Sequence, residues 1–200
     1  YFYIKYNKMS ITTASLIDEI NRLRTNPYSY GEKIEKYITY IKMQKDQDGN
    51  EFPVLKLPKA KAGIRLREGE PAFKEAADFL KTKIDSAPPM DEVKGLTAIA
   101  KEFVDLSKDM SPEQIRAINM DDIIAKHGKY TGSFSRAMEF GAENAEQVIV
   151  SLIVSDGDPS RGKRETLLNS KLLNVGAASG PHSTFGTVSI LVLCGELQNK

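Results

Sequence analysis

The sequence predicts an α+β fold in which helices cover both sides of a small sheet. Its most apolar run, residues 187–194, contains no charged residue, which is typical of a central strand buried on both faces. The long segments before it carry apolar residues at helical spacing, and strand character is concentrated near the C-terminus. Because a strand buried on both faces needs a layer above it and another below, the helices are expected to supply both layers.

Capping residues and prolines indicate where the helices begin. The first is capped by Thr12 or Thr13 and ends at Asn26-Pro27, and another opens at Pro71. A further helix follows Gly95, and the last long one covers residues 143–154. The predicted buried stripes of the five long helices are Leu16, Ile20 and Leu23; Tyr30, Ile34, Tyr37, Ile38 and Ile41; Phe73, Ala76, Ala77, Leu80 and Ile84; Leu96, Ile99, Ala100, Phe103 and Leu106; and Ala145, Val148, Ile149, Leu152 and Ile153.

Shorter features lie between these helices. Residues 111–114, Ser-Pro-Glu-Gln, form a capping box that predicts a further helix start. Residues 45–62 are a polar connection in which residues 52–57 can form a short edge element, and residues 127–133 are predicted to be a Gly-containing loop. A charged, turn-rich loop, one short helix and two strands around a Gly-rich turn complete the chain.

The composition of the chain limits the kinds of molecule that it is expected to bind. The chain has 200 residues, 40% apolar content and a formal net charge of +1. This length suits one compact domain, predicted over residues 11–197. A net charge this close to zero gives no electrostatic reason to expect binding to nucleic acid or to an anionic membrane. No apolar run is long enough to span a bilayer. No signal peptide is visible, so a cytoplasmic location is expected. The lone cysteine, Cys194, lies in the most apolar run and predicts a buried side chain in a reducing compartment.

Residues 1–10 are predicted to be an N-terminal extension or arm. The first eight, YFYIKYNK, can all be encoded by A and T alone, so one interpretation is a translated leader before a start at Met9 in an AT-rich genome. The alternative is an aromatic arm that docks on a neighbouring protein by adding a strand to a sheet edge.

Four segments carry a family resemblance: INRLRTNPYSYGEKIEKYI, REGEPAFKEAADFLK, GLTAIAKEFVDLSKDM, and SLIVSDGDPSRGKRETLLN with the following VGAASGPHSTFGTVSI. Together they resemble the CAP superfamily of cysteine-rich secretory, antigen and pathogenesis-related proteins, in the bacterial and protist branch with an Asp-Gly-x-Pro-Ser-Arg-Gly-His-Arg signature. The resemblance implies an α-β-α sandwich with an antiparallel sheet between helical layers. It also implies a central cleft, where the family usually holds two histidines and two acidic residues.

The chain departs from the family at the cleft. The position resembling the first histidine is Phe103, and the one resembling the second is Lys163. An apolar ring cannot ligate a metal and an ammonium repels one, so no metal and no cofactor are expected. Glu143 resembles the acidic position, and the alternative is that it is a plain surface residue. His182 resembles a histidine between the last two strands and His127 lies in a loop, and structural roles are favoured for both over ligation.

The signature loop admits two interpretations. Arg161 and Arg164 are predicted to brace it by pairing with Asp156 and Asp158. The alternative is an anion clamp for phosphate or carboxylate, formed by Ser160, Arg161, Lys163 and Arg164 at the start of a short helix. The nearby carboxylates favour bracing, because they cancel most of the positive electrostatic field that would attract an anionic ligand.

Three classes of function follow. The favoured one is a non-enzymatic interaction or structural module whose partners are other proteins of a larger intracellular assembly, such as a cytoskeletal or ciliary one. The second is a CAP protein that binds a lipid or another apolar small molecule. The third, a metal-dependent hydrolase, is the class most weakened by Phe103 and Lys163.

Overall fold

The computed structural model describes residues 11–60, 62–127 and 129–198, so the predicted N-terminal arm, residues 1–10, lies outside the described residues. The described chain has the α+β composition that the sequence predicts. Its helices are α1 (Thr13–Thr25), α2 (Pro27–Ile38), α3 (Glu70–Thr82), α4 (Lys94–Ser107), α5 (Pro112–Arg116), α6 (Met120–His127), α7 (Ala145–Val154) and α8 (Gly162–Leu168). Its strands are β1 (Ile41–Lys45), β2 (Glu51–Leu55), β3 (Ile64–Arg65), β4 (Asp91–Glu92), β5 (Lys129–Phe140), β6 (Asn174–His182) and β7 (Gly186–Gln198).

A four-stranded sheet in the order β4-β6-β7-β5 forms the centre of the fold. β7 pairs antiparallel with β6 on one side and with β5 on the other, and residues 188–194 are fully buried. The predicted central strand is therefore confirmed. The two-residue β4 is the exception to the expected antiparallel pairing, because it runs parallel to β6, held by bonds from Asp91 N–H to Leu173 O and from Val93 N–H to Val175 O.

Alternate residues of β7 face two different helical layers. Leu191 and Leu193 pack in one core cluster with residues of α1, α2, α3, α7 and α8. Ile190 and Val192 pack in a second cluster with residues of α4 and α6. Because successive side chains of a strand point to opposite faces, the sheet lies between these two layers, as the sandwich prediction requires. β6 approaches α4 closely at Gly176, where an added Cβ would lie 2.1 Å from the backbone of Leu96 and Thr97.

The arginine and the asparagine of the Arg-x-Asn-Pro turn between α1 and α2 both bind backbone groups. Arg24 is fully buried, and its guanidinium donates to the carbonyl oxygens of Pro88 (2.8 Å), Leu167 (2.7 Å), Asn169 (3.0 Å) and Leu172 (3.1 Å). Leu167 and Asn169 lie at the end of α8, where carbonyls lack helical partners. Burial lowers the pKa of Arg24. The Asn26 side chain accepts from Ser29 N–H and caps α2.

A second, three-stranded sheet has the strand order β1-β2-β3. Its middle strand β2 overlaps the edge element predicted at residues 52–57. The prediction that Ile41 belongs to the second helix is wrong, since α2 ends at Ile38 and Ile41 begins β1. The Ile41 side chain nevertheless packs on the core, so its position in the apolar pattern indicated burial and not a helix.

Three further expectations are corrected. Residues 129–133 of the predicted loop belong to β5. Leu106, assigned to a buried stripe, is 42% exposed. The last long helix begins at Ala145 with Asn144 as its cap, two residues after the predicted start, because the Asn144 side chain binds Gln147 N–H. The capping box at Ser111 and Gln114 is confirmed.

Candidate functional site

The signature loop runs from the end of α7 to the start of α8. Two of its non-glycine residues, Ser155 and Arg161, adopt left-handed backbone conformations, with φ of 49° and 52°. Such conformations are costly for side-chain-bearing residues and persist only where surrounding contacts enforce them. The loop is folded by successive turns, in which Asp158 N–H donates to Ser155 O and Arg161 N–H donates to Asp158 O.

Asp156 ties this loop to the segment that leads into α3. Its carboxylate accepts from three consecutive backbone N–H groups, those of Arg67 (2.5 Å), Glu68 (2.8 Å) and Gly69 (2.9 Å). Glu68 reciprocates, since its carboxylate accepts from Gly157 N–H at 2.7 Å. Asp156 therefore occupies an anion-binding row of amides that would otherwise lack partners at the start of a helix.

The two arginines of the signature brace the loop, but with other carboxylates than predicted. Arg161 forms a bidentate pair with Glu68 at 2.7 and 2.8 Å and also donates to the carbonyls of Ser155 and Asp158. Arg164, which is buried, pairs with Glu75 through two bonds of 2.6 Å and donates to Ile153 O. Pairing with Asp156 and Asp158 is replaced because α3 and its leading segment bring carboxylates from about 90 residues away.

These pairs are reflected in the pKa values of both glutamates. The Arg161 guanidinium holds the pKa of Glu68 below its ordinary value, and Arg164 does the same for Glu75. Bidentate arginine–carboxylate pairs of this kind are among the stronger polar contacts in proteins. They leave the guanidinium groups little capacity for an external anion.

Ser160 and Lys163 complete the loop in different ways. Ser160 Oγ donates to Asp158 Oδ1 at 2.6 Å and so stays within the turn. Lys163 is half-buried, and burial lowers its pKa, while the charges of Asp158 and Glu139 oppose the effect. In the part of the chain that the structure describes, Lys163 forms no ion pair within 4 Å. Of the three cations of the signature loop, Lys163 therefore contributes least to holding the loop in place.

Phe103, the position that resembles the first family histidine, is part of the core. Its ring is fully buried, and the guanidinium carbon of Arg136 lies 4.4 Å from the ring centroid. Arg136 also donates to Ile115 O at 3.0 Å. Phe103 is therefore packed under a cation that stacks on its aromatic face. Glu143 is exposed and directly precedes the cap of α7.

Glu139 is a buried acid that the sequence reasoning missed. It lies on β5 with 7% of its surface exposed, and its carboxylate accepts from Ala142 N–H at 3.2 Å. Burial raises its pKa to about 8, against the opposing effects of backbone bonds and the Lys163 charge. Phe134, Met138 and Phe140 stand an even number of residues apart, a spacing that places them on one face of a strand, and that signal could have placed Glu139 on the opposite face.

Both histidines have structural partners. His182 is buried, its Nε2 lies 2.9 Å from Met110 O, and its Nδ1 accepts from Thr184 N–H and Phe185 N–H. This pattern assigns the proton to Nε2. His127 Nε2 lies 2.7 Å from Glu102, which also binds Lys126. Among the described residues, no three His, Cys, Asp or Glu side chains are grouped so that they could hold a metal ion.

Comparisons with known proteins give fold-level likenesses only. No known protein family's sequence profile and no curated protein sequence matches this chain. An outer surface protein of Borrelia burgdorferi matches 57% of the chain and 80% of its own, with 15% identity and a TM-score of 0.41. A cysteine-rich secretory protein from Staphylococcus aureus matches 84% of the chain and 70% of its own, with 13% identity and a TM-score of 0.43.

Proposed function

We propose that this chain is a non-enzymatic interaction module with a CAP-like architecture, in which the family cleft has been converted into structural contacts. The observation that carries the proposal is the internal use of the signature loop. Asp156, Arg161 and Arg164 are all bound by α3 or its leading segment. Phe103 lies under Arg136 in the core, so the two regions that would flank a reaction centre serve the fold.

The setting proposed for the module is a large cytoplasmic assembly, of cytoskeletal or ciliary type. Cys194, the only cysteine of the sequence, is buried in β7, so no disulfide supports the fold, as is usual for proteins of reducing compartments. None of the helices in the described ranges combines the length and apolar character needed to cross a bilayer.

The alternative of an apolar small ligand has less support. A surface groove of about 330 Å³ lies between α2 and α3, and four of its lining residues are charged: Glu35, Lys74, Asp78 and Lys81. Sites for lipids and other apolar ligands are lined mainly by apolar and aromatic side chains. Of the seven residues that line this groove, two, Ile38 and Ala77, have apolar side chains.

Two measurements test the proposal. Calorimetry of the chelator-treated protein with zinc is expected to show no sub-micromolar site, because the buried Glu139 and His182 are already satisfied internally. Tight binding that is lost in both Glu139→Gln and His182→Ala would overturn it in favour of a metal enzyme. Native fractionation with chemical cross-linking is expected to place the protein in a large particle, and a free monomer without cross-linked neighbours would contradict the module.

A further inference from the structure

The three-stranded sheet has an open edge at β1. On either side of β1, Tyr40 O accepts from Lys56 N–H and Asp46 N–H donates to Asn50 O. Within β1 the residues that are hydrogen-bonded to β2 are therefore Lys42 and Gln44. In an antiparallel ladder the alternate residues direct their N–H and C=O groups away from the partner strand. The backbone groups of Ile41, Met43 and Lys45 therefore point outward, and within the described residues β2 is the strand that pairs with β1.

One face of this sheet is apolar. Paired residues of adjacent strands share a face, and the register pairs Ile41 with Leu55, Met43 with Pro53, and Leu55 with Ile64. Leu55 is buried in the core cluster, whereas Met43 is 59% exposed and Ile64 is 42% exposed. We call this the apolar face. Apart from the exposed Lys45–Glu51 pair at its end, it is built from aliphatic side chains and a proline.

The opposite face is cationic. Lys42 pairs with Val54, Val54 pairs with Arg65, and Lys56 follows on the same side. Arg65 stacks on Phe52 with its guanidinium carbon 4.0 Å from the ring centroid. The sequence from residue 52 to residue 67 contains five basic residues and no acidic one, so the near-neutral total charge conceals a local cluster.

The Asp46 carboxylate interacts with the Arg65 charge, which contributes to its lowered pKa, but it is mainly bound within its own loop. The Asp46 carboxylate accepts from Asp48 N–H at 3.0 Å and from Asn50 N–H at 2.9 Å, which fixes it within the β1–β2 loop. These bonds are the main cause that lowers the pKa of Asp46. Lys42, Lys56 and Arg65 form no ion pair within 4 Å with another described residue. The face is therefore available to carboxylates from outside.

We infer that β1 binds an extended segment of a partner protein in which acidic and apolar residues alternate. Such a segment would continue the ladder through the outward groups of Ile41, Met43 and Lys45. Because side chains alternate along a strand, its apolar residues would lie beside Met43 and its carboxylates beside Lys42. The inference rests on the proposed interaction module and names the surface and the partner chemistry of that module.

A second copy of this chain fits the edge poorly. Its own β1 would bring Lys42 and Lys45 next to the cations of the first copy, and lysines on edge strands are a recognised means of preventing self-pairing. The same lysines attract a segment rich in glutamate or aspartate. Charge complementarity therefore selects an acidic strand over the chain itself.

The test uses the full chain and a synthetic peptide of about eight residues in which glutamate and valine alternate. Amide hydrogen exchange followed by NMR is expected to slow at Met43 and Lys45 when the peptide is added. The amides of Lys42 and Gln44, which already bond β2, are expected to change little. A peptide in which lysine replaces glutamate is expected to give no protection.

Two pairs of variants sharpen the result. Met43→Pro removes an outward N–H, a change that edge strands tolerate, and is expected to weaken peptide binding at least about tenfold, whereas Met43→Thr keeps the donor and most of the affinity. Lys42→Glu is expected to weaken it similarly, while Lys101→Glu on an exposed position of α4 leaves it unchanged. Absence of protection at Met43, or peptide binding that Met43→Pro does not alter, overturns the inference.

Three outcomes distinguish failure of this inference from failure of the proposed function. Protection of Met43 that grows with protein concentration alone identifies a second copy as the occupant and overturns the acidic partner. If Met43→Pro still enters the large particle with unchanged cross-links, the module stands and the β1 surface is wrong. A tight zinc site with hydrolytic activity would instead overturn the module, whatever the peptide does.

Discussion

Glu139 offers a measurement of what burial of a carboxyl group does to the stability of this fold. Its pKa is about 8 in the folded chain against an ordinary value of 4.5. A carboxyl group whose folded pKa is raised stabilises the fold fully below the ordinary pKa and loses that contribution as pH rises toward the folded pKa. One unit of pKa corresponds to about 1.4 kcal/mol. At pH 7 the folded chain therefore gives up about 3 kcal/mol by keeping this carboxyl buried.

Glu139→Gln removes the titrating group and keeps an oxygen that can accept from Ala142 N–H. We expect the variant to be more stable than the natural chain by about 3 kcal/mol at pH 7, with little difference near pH 4.5. The gain should grow by about 1.4 kcal/mol per pH unit between these limits and level off above pH 8. Urea unfolding at several pH values measures both the size and the slope.

The matched control is Glu32→Gln, on an exposed position of α2. Surface substitutions of this kind usually change the free energy of unfolding by less than about 0.5 kcal/mol. A stability difference between Glu139→Gln and the natural chain that does not change with pH would refute the reasoning, because it would show that the carboxyl does not titrate in this interval. A destabilised Glu139→Gln variant at pH 7 would refute it as well.

Three further predictions concern the contacts that join distant segments. Arg24→Lys is expected to lose about 3 kcal/mol or more in urea unfolding, because one ammonium cannot satisfy the four carbonyls that Arg24 binds; a loss below about 1 kcal/mol would contradict this. Gly176→Ala is expected to cost about 2 kcal/mol or more, since its Cβ would collide with the α4 backbone, whereas Gly162→Ala, whose Cβ would first meet Ser160 Oγ at 3.4 Å, serves as the tolerated control. In Glu75→Gln, the free energy of unfolding is expected to fall less steeply as the pH is lowered. The Arg164 pair lowers the folded pKa of Glu75, so the stabilisation that Glu75 contributes is present above pH 4.5 and disappears as pH falls through the folded pKa. An acid-unfolding curve of Glu75→Gln that parallels the natural one would show that this pair is not what titrates.

Local signals in the sequence predicted several elements correctly. The Thr12 cap, the capping box at Ser111 and the charge-free run of β7 each depend on neighbouring residues only. The sandwich follows from the same information, since a strand buried on both faces requires two layers. The strand β5 was not predicted, because Gly132 lies near its start and glycine usually marks a loop.

The site was harder to predict, because its partners come from distant parts of the chain. Arg161 and Arg164 had aspartates within a few residues, but the segment that leads into α3 presents Glu68, and α3 itself presents Glu75, in better geometry. Glu139 could not be recognised as buried until β5 was known to be a strand. The burial of Arg24 likewise depends on carbonyls of α8 and the loops beside it, which no local pattern indicates.

The hydrogen bonds of Arg24 have a consequence for synthesis of the chain. Three of their acceptors follow Arg24 by 143 to 148 residues, and Thr13 Oγ1 donates to Ala177 O, 164 residues later. A nascent chain that has not emerged as far as Leu172 cannot complete the Arg24 contacts, and one that has not reached Ala177 in β6 cannot complete the Thr13 contact. The first helices of the fold are therefore expected to wait, incompletely packed, for the last strands to leave the ribosome, and contacts of such long range are characteristic of slow folding.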